Sequence, residues 1–101
     1  MDLKMVKQAM ELRSKLEKAQ KELAKMSVEA ESGKGAVKVK ANGQQKILSI
    51  KISPEIVDPR KIAELEKLVL KAVDDALEES RKLAASEMKQ FTGGMNIPGL
   101  T

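Results

Sequence analysis

The stretch "GAVKVKANGQQKILSIKISPEIVDP", residues 35–59, decides the fold. Its first half alternates: Val37, Val39 and Ala41 oppose Lys38 and Lys40. After a turn, Leu48, Ile50 and Ile52 oppose Ile47, Ser49 and Lys51. A period of two marks strands with one buried face. Asn42-Gly43 between the runs predicts a type I′ hairpin, because that turn needs positive φ at both central residues. At the end of the stretch, Asp58 is the expected N-cap of a helix, with Pro59 at its first position.

Upstream, "SVEAES" at residues 27–32 alternates in the same way, with Val28 and Ala30 against Glu29 and Glu31. Gly33-Lys34-Gly35 supplies the turn into the next strand. Two-residue loops would set Val28 opposite Val39, Ala30 opposite Val37 and Val37 opposite Leu48, with Glu29 opposite Lys38. One face is then apolar across all three strands, as a sheet packed on helices requires.

Helical patterns flank the strands. Over residues 2–26, Met5, Ala9, Leu12, Leu16, Ala19, Leu23 and Met26 recur at alternating four- and three-residue steps. That is a heptad-like seam. Leu3, Val6 and Met10 widen it near the start. Past Pro59, Ile62, Leu65, Val69, Ala72, Val73, Ala76, Leu77, Leu83, Ala84 and Met88 carry a second helix to about residue 90. Roughly 30 residues at 1.5 Å each give about 45 Å, more than so small a core needs, so part of this helix is expected to extend past the sheet. The fold class is α+β: an α-β-β-β-α subunit with a three-stranded antiparallel sheet between two long helices. Residues 1–91 form one domain. Residues 92–101, "TGGMNIPGLT", are uncharged and Gly/Pro-bearing, and are expected to be a flexible tail.

The chain has 101 residues and neither Cys nor His. That removes disulfides, thiol nucleophiles, Cys/His zinc sites and imidazole acid–base chemistry. No enzyme, no cofactor, no metal and no small-molecule substrate is expected. No stretch resembles a signal peptide or reaches membrane-spanning length, so a cytoplasmic protein without a membrane partner is expected. A lone chain this size buries a limited share of its surface, so a partner subunit would help.

The net charge is +4, and its distribution says more than its total. Residues 1–26 carry seven basic and four acidic groups, residues 27–53 five and two, and residues 54–90 seven and nine. The positive excess lies in the first half, which points to a polyanion. Lys4, Lys7, Lys18, Lys21 and Lys25 form a row opposite the helix 1 seam. The row spans about 32 Å by helical rise, close to one turn of duplex DNA. Lysine acts as a point charge, suited to phosphate contact without base reading. An ordinary solvated helix face would show the same spacing. Arg81, Lys82 and Lys89 near the end of helix 2 either face DNA or simply complement the helix dipole. On the sheet's outer face, Lys38, Lys40 and Lys51 have no interleaved aromatic for base stacking, which favours a solvated surface. Asp74, Asp75, Glu78 and Glu79 lack any companion nucleophile or phosphate loop and read as a solvated face.

Taken together, "GKGAVKVKANGQQKILSIKISPEIVDP", "LEKLVLKAVDDAL" and "TGGMNIPG" resemble the YbaB/EbfC family of bacterial nucleoid-associated DNA-binding proteins. The resemblance covers essentially the whole chain. The clearest matches include Gly33, Gly35, Asn42, Gly43, Pro54, Asp58, Pro59, Ala72, Asp75 and Ala76. The resemblance implies a homodimer whose paired helices project like tweezers, and which binds duplex DNA at the nucleoid with little or variable sequence preference. It carries over no DNA-contacting motif, so the basic residues stand on charge and spacing alone. The rival reading is a coiled-coil and hairpin module for protein interaction, chaperone-like, without DNA binding.

Overall fold

In a computed structural model of the chain, which describes residues 2–91, the order is α1 (Leu3–Lys25), β1 (Ser27–Ser32), β2 (Val37–Asn42), β3 (Ile47–Ile52) and α2 (Ile62–Phe91). This is the α-β-β-β-α subunit that the hydrophobic periods predict. The expected tail at 92–101 lies outside the described residues. Two short 3-10 turns, Pro54–Ile56 and Pro59–Lys61, lead into α2. Asp58 caps the second of them, accepting the Arg60 N–H at 3.0 Å. The Arg60 guanidinium also binds this carboxylate, and the two contacts together hold the Asp58 carboxyl below its usual range.

The strands form one antiparallel sheet in the order β1-β2-β3. Its register corrects the two-residue loops. Val28 lies opposite Ala41, Ala30 opposite Val39 and Ser32 opposite Val37, while Val37 faces Ile52 and Val39 faces Ile50. On the other face Glu29 pairs with Lys40 and Glu31 with Lys38. Each turn holds four residues, 33–36 and 43–46. The slips at Val28, Ala30, Val37 and Val39 are even in number, so these residues and their partners keep their predicted face, while Ile47, expected on the outer face with Ser49 and Lys51, does not. Between Lys40 and Ala41 the β2–β3 register shifts by one, so that Ala41 faces Ile47, and Ile47 packs on the core.

The Asn42-Gly43 turn is not type I′, for Gly43 does not take a positive φ; Gln45 does, at 64°. The Asn42 side chain makes the turn itself. Its Oδ1 accepts the N–H of Gln44 at 2.9 Å and of Lys46 at 3.0 Å, the Asx-turn chemistry that competes with a primed turn.

The core is small. Val37, Val39 and Ala41 are fully buried against Ala72 and Ala76 of α2. Ala72, Ala76 and Ser80 recur every fourth residue, so one face of α2 is small enough to sit close on the sheet. Two serines fasten it there. Ser32 Oγ donates to the Leu68 carbonyl at 2.6 Å. Ser80 Oγ, buried, donates to the Asn42 carbonyl at 2.6 Å and accepts the Gln45 N–H at 3.0 Å. Helix α2 lies over β1 and β2 and barely reaches β3. The inner face of β3 is therefore open: Leu48, Ile50 and Ile52 are 48%, 45% and 37% exposed.

Candidate nucleic-acid interface

Helix α1 starts at Asp2, whose carboxylate accepts the Lys4 N–H at 3.0 Å. Its other end is closed by the β2–β3 turn. The Leu23 carbonyl accepts the N–H of both Met26 and Gly43, and Gln44 Nε2 donates to the Gln20 carbonyl at 2.8 Å. A hairpin thus satisfies carbonyls that a helix C-terminus otherwise leaves without partners. Leu23 is the one buried residue of α1. Along the seam, Leu16, Ala19 and Met26 are half-buried, whereas Met5, Ala9 and Leu12 are exposed.

That gradient follows from how α1 meets α2. Leu23 and Ser80 both contact the β2–β3 turn. Further out, Lys15, Lys18, Ala19 and Glu22 of α1 line a depression with Glu87 and Gln90 of α2. The helices therefore run antiparallel beyond the sheet, and α2 ends at Phe91. The first dozen residues of α1, about 18 Å by helical rise, project past that end. The molecule is accordingly 67 Å long and 20 Å across.

The lysine row runs the length of α1, with Lys4 and Lys7 on the projecting turns and Lys25 at the end nearest the sheet. Lys4, Lys7, Lys18, Lys21 and Lys25 are all exposed. Among the described residues none of them has a carboxylate oxygen within 4 Å. Arg13 is the exception on α1, paired with Glu17 at 3.3 Å. Lys15, exposed and likewise without a carboxylate partner, extends the row. Sequence reasoning passed it over because it lies outside the two heptad positions that the other lysines occupy. Its signal was its spacing, three residues before Lys18.

Helix α2 is different. Arg81 is held by Glu78 at 3.0 Å and Lys82 by Glu79 at 3.6 Å. Such exposed pairs contribute little stability, but each places a negative charge beside the cation and cancels its field at a distance. Lys89 is exposed in the last turn, at the axial level of Lys15 and Lys18 on α1. Of the acidic set, Asp75 also pairs locally, with Lys71 at 2.7 Å.

The outer face of the sheet is a shallow, charge-mixed surface. Lys38 lies directly opposite Lys51, and Lys40 opposite Ser49, with Glu29 and Glu31 on the neighbouring strand. A depression of about 300 Å³ runs among Glu29, Lys38, Lys40, Ser49 and Lys51. No helix among the described residues is long and apolar enough to cross a membrane.

Comparison with known proteins supplies the context for this arm. The YbaB/EbfC DNA-binding family matches residues 2–95. A nucleoid-associated protein of Thermoanaerobacter pseudethanolicus is 47% identical over 95% of this chain and 86% of its own length. One from Caldanaerobacter subterraneus is 48% identical over the same shares, and one from Desulforamulus reducens is 47% identical over 96% of this chain and 92% of its own. Among solved structures, an uncharacterized protein of Helicobacter pylori matches the fold with a TM-score of 0.69 at 21% identity, covering 87% of this chain and 97% of that one.

Proposed function

The chain belongs to the YbaB/EbfC DNA-binding family, and on that premise we propose that it binds duplex DNA as a homodimer, mainly through phosphate contacts with little sequence specificity. The observation that carries the reading is the α1 row, in which Lys4, Lys7, Lys18, Lys21 and Lys25 are exposed and, among the described residues, free of carboxylate partners. The row offers point charges at roughly the length of one duplex turn and no bidentate base reader, so sequence discrimination is weak. Arg81, Lys82 and Lys89 are secondary contacts. The first two must give up a local carboxylate to engage phosphate.

The homodimer is supported by the open face of β3. Leu48, Ile50 and Ile52 continue the apolar face of Val37 and Val39 beyond the edge of α2. A second copy placed there would bury them. It would also set two α1–α2 arms on one particle, doubling the phosphate contacts. The names of the relatives, nucleoid-associated proteins, support a place at the nucleoid, in the cytoplasm.

The test is a fluorescence anisotropy titration of short duplexes of unrelated sequence across a range of salt. Similar affinities that fall steeply with salt support the reading. If no salt-dependent binding occurs, the projecting helices serve a protein-interaction role instead.

A further inference from the structure

The arm that carries the lysines has a second face. At the free end of α1, Met5, Val6, Ala9, Met10 and Arg13 line an open depression of about 440 Å³. Met5 is 66% and Met10 67% exposed. Apart from Arg13 its lining is apolar; Met5 and Ala9 lie across the helix from the lysine row and Met10 stands one turn from Lys7, and phosphate has no use for these apolar side chains. We propose that it is a docking groove for the chain's own C-terminal segment, residues 93–100, lying along α1 within the same chain.

Three observations point to this occupant. The first is direction. Helix α2 runs antiparallel to α1, reaches the level of Lys15 and Ala19 at Glu87 and Gln90, and ends at Phe91. The end of α2 therefore points toward the first turns of α1. The second is reach. From the level of Lys15 to Met5 is about 15 Å by helical rise, while ten residues of extended chain span up to about 33 Å.

The third is chemistry. Gly93-Gly94 stands one residue, Thr92, beyond the end of α2 at Phe91, and glycine lets a chain leave a helix axis at little steric cost. Met95, Ile97, Pro98 and Leu100 then supply apolar side chains with no charge among them. The segment suits a groove walled by methionines, which adapt their shape to a ligand. Being tethered, it acts at an effective concentration of the order of millimolar, so a modest apolar contact is enough. Docking would stiffen the free end of α1, where Lys4 and Lys7 lie. The inference does not depend on DNA binding.

The full-length chain tests it by methyl NMR with carbon-13 at the methionines. The protein has no Cys, so Thr101→Cys provides a single site for a nitroxide label. The expected result is loss of the Met5 and Met10 methyl signals, with the Met26 signal retained. It should persist when the labelled chain is diluted with an excess of unlabelled chain, and disappear when Ile97→Asp and Leu100→Asp are added. Retained Met5 and Met10 signals overturn the proposal. Loss that vanishes on dilution assigns the groove to the tail of a second copy and overturns it as well. So does loss that survives the two aspartates, because the contact is then not apolar. Methyl shifts that follow protein concentration and ignore the tail identify another helix as the occupant, with the same consequence.

Discussion

The Gly43 amide, in the β2–β3 turn, donates to the Leu23 carbonyl of α1 at 2.9 Å, and a Cβ on Gly43 would lie 2.7 Å from that same oxygen. The helix is docked on the hairpin through backbone, at a contact where only glycine fits. A Cβ there would also come within 2.9 Å of Leu23 Cδ2 and 3.1 Å of its Cβ.

Gly43→Ala is therefore expected to destabilise. At a glycine of ordinary φ the substitution would stabilise by roughly 0.4–1 kcal/mol through the unfolded chain. Here the clash is with a carbonyl oxygen that cannot rotate away, and overpacking of this kind costs about 1–3 kcal/mol. The clash wins. A fall in Tm of roughly 5–10 °C should appear in a circular dichroism melt. An unchanged Tm would mean that α1 does not dock through this contact.

Ser80→Ala isolates the fastening of α2. It strips the Asn42 carbonyl and the Gln45 N–H of one shared partner at a buried site. The expected cost in urea unfolding is about 1–3 kcal/mol. Ser14→Ala on the exposed face of α1 is the comparison and should stay within about 0.5 kcal/mol of wild type. Equal stabilities for the two variants would remove Ser80 from the framework.

Lys18→Gln with Lys21→Gln tests the row. Each lost phosphate contact should lower the slope of log K against log salt by about 0.9, so the pair should lower it by roughly two per subunit, on any duplex. Glutamine keeps the helix propensity. Lys38→Gln with Lys40→Gln on the sheet should matter less, because Glu31 and Glu29 stand opposite those lysines. Arg81→Gln with Lys82→Gln should matter less too, since both cations already have carboxylates. A sheet pair that changes the slope while the helix pair does not would move the DNA to the sheet.

Ile50→Asp tests the open face of β3. Wild type should sediment at micromolar concentration at twice the 11.1 kDa chain mass. The variant should sediment at the single mass and stay folded, because Ile50 is 45% exposed within one chain. A wild type already monomeric at that concentration would end the homodimer reading.

Much of this was legible along the chain. The three strands, both helices and the faces their side chains take follow from periods of two and 3.6, and these depend only on backbone geometry. Asp58-Pro59 marked the entry to α2 because capping is local. The lysine row could be read in the same way, since residues on one helix share a face whatever surrounds them.

Other features rest on contacts between residues far apart in the sequence. Nothing near Asn42-Gly43 shows that Asn42 closes the turn with its own side chain, that positive φ falls on Gln45, or that Gly43 is needed for Leu23, twenty residues earlier. Two four-residue turns have the same alternation as two tight ones, because even slips leave the faces unchanged, so alternation could not exclude the tight-turn register, nor show the one-residue shift that turns Ile47 to the core. The spacing of the basic residues also left open which cations keep a free field. Among the described residues Arg81 and Lys82 carry carboxylate partners and the α1 lysines do not. The sequence by itself determined the elements and their faces, because those depend on neighbours within a few residues. Only the tertiary structure decided the register, the docking of α1 and the uncovered strand β3, because each is set by how closely two distant surfaces approach.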